Sequence, residues 1–181
     1  MPTQPSTEVR SACFASTFEN GPGAFWAYSL RIYAQPGISE ACLALQDGAG
    51  ADVNMAMFAL WAASCGLRLL PADFTAVEAR VQPWRTQVIH SLRAARRALK
   101  PLAVTDDARR LYASVKDVEL EAERQQQAMM EPMLPLREPD TAASLAEENL
   151  AAYATAAGLH FPDPAVATLV GAIRTFPVSP G

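Results

Sequence analysis

A chain of 181 residues is long enough to bury a core of its own without a metal or disulfide staple. Half of its residues are hydrophobic, Ala supplies much of that half, and helix formers outnumber β-branched and aromatic residues, so an all-α fold is expected. A net charge of −4 argues against nucleic-acid binding, which needs a basic footprint, although nine of the 15 Lys and Arg residues fall between Arg80 and Lys116.

Residues 1–21 hold no apolar stretch behind a basic start and read as a flexible tail rather than a signal peptide. Cys13, Cys42 and Cys65 are odd in number and show no CxxC spacing, which fits free thiols in a cytoplasmic protein. A single domain is expected over residues 22–176, with a short tail at 177–181. The first helix begins at Pro22 to Ala24, carries Phe25, Trp26, Tyr28 and Tyr33, and stops before Pro36. A second starts around Pro36 with Ile38, Cys42 and Leu45 on one face, and Gly48 and Gly50 end it.

Asp52 is a good N-cap for a third helix, which Gly66 closes in the C′ position. That helix is apolar nearly all round, so it should be central and buried. Its apolar run, Val53 to Cys65, is shorter than the roughly 20 residues a membrane span requires. A fourth helix opens at Leu70 to Asp73, and Pro83 must break or kink it. Along this helix Val81, Trp84, Val88, Leu92, Ala95 and Leu99 align, while His90, Arg93, Arg97 and Lys100 fall on a solvated face.

Thr105 caps a fifth helix with a seam of Ala108, Leu111, Val115, Val118, Ala122, Gln125 and Met129, expected to form a long antiparallel hairpin with the fourth. Met129, Met130 and Met133 at its end fit either a pliable partner surface or gap-filling side chains. Residues 130–140, with Pro132, Pro135 and Pro139, form a connection. Asp140 or Thr141 then caps a sixth helix ending at Gly158, and Asp163 with Pro164 starts a seventh. The expected architecture is an irregular bundle of six to seven helices.

The glycines of DGAGAD, at Asp47 to Asp52, follow a helix rather than a strand and read as a helix-to-helix turn, not a phosphate loop. His90 and His160 have no neighbouring Cys, Ser or carboxylate at triad or metal spacing, so no metal site and no cofactor are expected. Asn54 shares a face with Phe58 and Trp61 on the buried helix, where an unpaired amide costs about 1–3 kcal/mol, so it must have partners. Gln46 and Asp52 pose the same choice between capping a backbone and facing a ligand. In the hairpin, Arg85 should lie across from the neighbourhood of Glu119.

The segments FWAYSLRIYAQPG at Phe25 to Gly37, ACLALQDGAGADVN at Ala41 to Asn54, WRTQVIHSLRAARRALK at Trp84 to Lys100 and ELEAERQQQ at Glu119 to Gln127 carry a resemblance. With them the chain resembles a family of uncharacterised proteobacterial proteins, a domain of unknown function. The resemblance implies a small bacterial cytoplasmic protein and no activity, cofactor or catalytic residue.

Two functional readings follow. The leading one is a non-catalytic interaction or accessory protein with a protein partner, since no nucleophile, base or metal set assembles. The alternative is a small-molecule-binding protein or enzyme with a pocket lined by Trp26, Tyr33, Gln46, Asp52, Asn54, Trp61, Arg85 and Glu119.

Overall fold

The computed structural model describes residues 23–174; both expected tails, Pro22 and Cys13 lie outside that range. The helices are α1 (Ala24–Tyr33), α2 (Ile38–Leu43, continued by a π-turn over Ala44–Gly48), α3 (Val53–Ser64) and α4 (Pro71–Trp84). They continue with a π-turn (Arg85–Ile89), α5 (His90–Leu99), α6 (Asp106–Met130), α7 (Leu145–Ala157) and α8 (Asp163–Arg174). Because α4, its π-turn and α5 run on as one rod, the described residues form seven helical units and no strand.

At the centre lies α3. Its start is set by Asp52, whose Oδ1 accepts from Asn54 N at 2.8 Å. Its end is set by Gly66, where φ is 71° and Leu67 N donates back to Ala62 O at 2.8 Å, a reversal that a Cβ would strain. Every residue from Met55 to Ala62 is buried, as a helix apolar all round requires. α1, α6, α7 and α8 pack around it.

An aromatic series crosses this core. Phe25 of α1 stacks on Trp61 at 4.9 Å and meets Phe58 at 5.8 Å; Phe58 then touches Phe74, Phe74 touches Tyr153 and Tyr153 touches Phe161. Asn149 of α7, fully buried, ties α3 to the chain that leaves it. Its Nδ2 donates to Ala59 O at 3.1 Å and Leu67 O at 2.9 Å, and its Oδ1 accepts from Leu69 N at 2.8 Å.

Pro83 sits inside α4 and the helix continues past it. Proline lacks an N–H and its ring crowds the carbonyl four residues earlier; a π-turn begins two residues after it. A π-turn holds one extra residue, which advances the rest of the helix by about 100°. Ile89 is therefore buried where Val88 was expected, and Arg93 turns toward α6 instead of solvent, correcting the reading of it as a solvated charge.

The hairpin of α5 and α6 forms, but the seam on α6 is displaced. Leu111 and Val118 are each 53% exposed, while Glu119, Ala122, Gln126, Gln127 and Met130 are buried. A straight helix drifts by about 20° per heptad from a strict seven-residue pattern, and Arg93 and Arg96 of α5 draw Glu119 inward. Trp84 Nε1 fixes the base of the hairpin by donating to Ala122 O at 2.9 Å.

Other expectations shift at the ends of elements. α7 starts at Leu145 because Asp140 caps a turn before it, accepting from Ala142 N, and pairs with Arg68. In α8, Asp163 is the first helical residue rather than the cap. Met130 is buried and Met129 and Met133 pack against the core, so these methionines fill space and form no exposed patch. Cys42 is a free, buried thiol; Cys65, half-buried at the end of α3, is not free, which corrects its reading as a free thiol. Among the described residues no helix is long and apolar enough to cross a membrane.

Candidate functional site

A cavity of about 640 Å³ opens over the N-terminus of α3. Its walls come from α2, the loop before α3, α4 and its π-turn, α5, α6 and α7. The loop delivers Asp52, whose two carboxylate oxygens do different work. Oδ1 caps α3, while Oδ2 accepts from Arg85 Nη1 at 2.8 Å and from Gln126 Nε2 at 2.6 Å. Asp52 N donates to the Tyr153 hydroxyl at 2.8 Å, so the last aromatic contact before Phe161 also braces the site.

Arg85 reaches this position because it opens the π-turn after Pro83. Its guanidinium bridges Asp52 and Glu78, bonding Glu78 through both amino groups. Burial works against its charge, but Glu78 and Asp52 together hold its pKa above the ordinary arginine value. About two turns along the same rod, Arg93 donates to Glu119 at 3.1 Å and to Glu123 at 2.8 Å, and Arg96 also bonds Glu119. Burial alone would raise the Glu119 pKa, yet Arg96 and Arg93 lower it. For Glu123 burial dominates over Arg93, with Glu119 and Asp52 adding to it, and the carboxyl is pushed up.

Asn54 is half-buried at the start of α3 and its side-chain oxygen has a partner. Its Oδ1 accepts from Gln127 Nε2 at 2.7 Å, and Gln127 Oε1 in turn accepts from Ser29 Oγ at 3.0 Å, linking α1, α6 and α3. Gln126 differs. It is fully buried behind the cavity wall, its Nε2 is committed to Asp52, and its Oε1 meets no donor among the described residues. An amide flip is no remedy, because Asp52 is a pure acceptor and requires the nitrogen end.

Of the residues expected at a pocket, Tyr33, Gln46, Asp52, Asn54 and Arg85 line the cavity. Trp26, Trp61 and Glu119 do not. Trp61 shares the Asn54 face but lies about 10 Å farther along the helix axis, where Phe25 covers it. Trp26 is half-buried on α1 away from the opening. Glu119 is held behind the wall by Arg93 and Arg96, and not by Arg85 as the hairpin register implied.

Sequence reasoning missed Glu78, Arg93, Glu123, Gln126 and Tyr153. The polar members at seam spacing, Glu119, Glu123 and Gln126, were the available signal on α6. Tyr153 gave none.

Burial pushes the Cys42 thiol up to about 11, with the Tyr33 hydroxyl beside it partly opposing, so no thiolate nucleophile forms near neutral pH. The Tyr33 and Tyr153 hydroxyls are raised by burial as well and stay protonated. Among the described residues no three His, Cys, Asp or Glu come together as a metal set.

A family model described as a protein of unknown function, DUF2390, matches residues 24–130. The chain belongs to this family. No curated protein and no solved structure matches it. The DUF2390 region runs from α1 to the end of α6 and carries Asp52, Asn54, Glu78, Arg85, Glu123 and Gln126. α7, outside the DUF2390 match, adds Tyr153, which ties to the Asp52 backbone, and Asn149, which anchors α3.

Proposed function

We propose that this DUF2390 protein is a small-molecule-binding protein whose ligand occupies the cavity over the N-terminus of α3. The observation that carries the reading is convergence: Asp52, Glu78, Arg85, Gln126 and Tyr153, from four separate stretches of chain, form one connected polar wall around a cavity of about 640 Å³. That volume is typical of small-molecule sites, and polar groups among Tyr33, Leu43 and Val53 are what fix a ligand's orientation. A wall serving stability alone would be replaced at little cost by apolar packing.

The test is an NMR fragment screen on the full chain. Fragments should shift resonances of the cavity walls, and Thr75→Trp, a substitution at an exposed rim position, should abolish those shifts without unfolding the protein. Shifts that survive the plug, or that map away from the cavity, would defeat the reading.

A second reading, an interaction protein, is favoured by the far end of the hairpin, where Leu102, Val104, Leu111 and Val118 are all more than half exposed. A partner that still co-purifies with Leu111→Asp, Val118→Asp would count against that surface.

A further inference from the structure

Resting on the second reading, in which the far end of the hairpin is a docking surface, we infer that this surface meets a lipid bilayer with anionic headgroups, which the tip between α5 and α6 enters. Shape is the first support. From His90 to Val118 no residue is buried, so the hairpin is an arm that carries its tip roughly 20 Å beyond Glu119, the first buried side chain of α6. At the tip Leu102 and Val104 are 66% and 71% exposed, more than any other large hydrophobic side chain among the described residues. A protein partner has to bring a shaped hollow to such a protruding point, whereas a bilayer yields to it.

The backbone of the tip suits an apolar layer. Val104 N donates to Leu102 O at 2.9 Å and Val104 O accepts from Arg109 Nη2 at 3.1 Å, so entry into the bilayer strands neither backbone group of the most exposed residue. Charge supplies the direction of approach. Residues 97–110 hold Arg97, Lys100, Arg109 and Arg110 against Asp106 and Asp107, a net +2 in a chain of −4. Asp106 and Asp107 are paired with Arg109 and Arg110, whereas Arg97 and Lys100, both exposed, form no ion pair among the described residues. The arm is therefore the positive end of an acidic molecule, and a negative membrane surface draws it in tip first while repelling the remainder. Two apolar side chains and two unpaired cations give a hold weaker than the marginal one of a single acyl chain, so attachment is brief and reversible.

The experiment titrates the full chain with vesicles of phosphatidylcholine alone or with roughly one-third phosphatidylglycerol, up to about 10 mM lipid, and follows cosedimentation and amide NMR attenuation. The anionic vesicles should bind at least about tenfold more tightly at low salt, lose that advantage at about 1 M salt, and attenuate residues 100–111 first. Leu102→Ser with Val104→Ser should abolish binding while leaving the thermal midpoint unchanged, since both side chains are exposed. Arg97→Gln with Lys100→Gln should remove most of the preference for anionic vesicles, about tenfold or more. Equal binding to the two vesicles, binding that survives the two serines, or no binding at the highest lipid concentration overturns the lipid assignment. Binding of a labelled single-stranded oligonucleotide that needs Arg97 and Lys100 but ignores the two serines would assign the cations to nucleic acid and overturn it as well. The docking-surface reading is judged separately by the Leu111→Asp, Val118→Asp co-purification, so it survives a failure on vesicles.

Discussion

Asp52→Ala removes three hydrogen bonds at one carboxylate, and their separate fates give the expected cost. Loss of the Asn54 N bond uncaps α3, worth about 1 kcal/mol. Gln126 Nε2 loses its acceptor while fully buried, worth about 1–3 kcal/mol. Arg85 keeps Glu78, and since its side chain is 16% exposed, the missing bond to Asp52 adds about 1 kcal/mol. The sum is about 3–5 kcal/mol. Thr105→Ala calibrates the measurement: Thr105 Oγ1 caps α6 by accepting from Ala108 N at an exposed end, so its loss should cost about 1 kcal/mol and no more. Urea denaturation of both variants at neutral pH, with unchanged slopes, reads the difference directly. If Asp52→Ala costs no more than Thr105→Ala, Asp52 is only a cap and the connected wall does not exist as an energetic unit.

The two hairpin glutamates should respond oppositely to removal of charge. Glu119 is held below its unfolded pKa, so its contribution is present above that value and is lost as pH falls through the folded one. Glu119→Gln should cost about 1–3 kcal/mol at neutral pH, discounted because Arg93 and Arg96 retain some exposure, and the gap to the parent should close in acid. Glu123 is raised, so its carboxylate opposes folding above that pKa; Glu123→Gln should be as stable as the parent or more so near about pH 8, and the difference should vanish as pH falls. Denaturation midpoints across pH check both, and parallel profiles would contradict the assignment. Asn149→Ala should cost about 3 kcal/mol or more, since it strands Leu69 N, Ala59 O and Leu67 O in the core; a thermal midpoint within a degree or two of the parent would refute that role.

Much of the local structure was legible from residue types because its causes are local. Asp52 and Thr105 as caps, Gly66 and Gly158 as terminators, and the apolar circumference of α3 each follow from backbone requirements within a turn of the residue concerned. The hairpin followed from two periodic runs joined by a short break. The site was half legible. Tyr33, Gln46, Asp52, Asn54 and Arg85 stood out as polar groups on apolar or capping backgrounds, and all five line the cavity.

What residue types alone determined is an all-α chain with a buried third helix, because apolar periodicity and caps act over a few residues. Tertiary structure decided the partners. Pro83 signalled a disturbance, but the choice of a π-turn over a kink rotated α5, brought Arg93 to Glu119 and Glu123, and left Arg85 for Asp52 and Glu78. Tyr153 joins Asp52 across 101 residues of sequence and Gln126 joins it across 74. No local rule reports such distances: which donor meets which carboxylate depends on the rotation and depth of every helix between them, and these are settled only when the whole core packs.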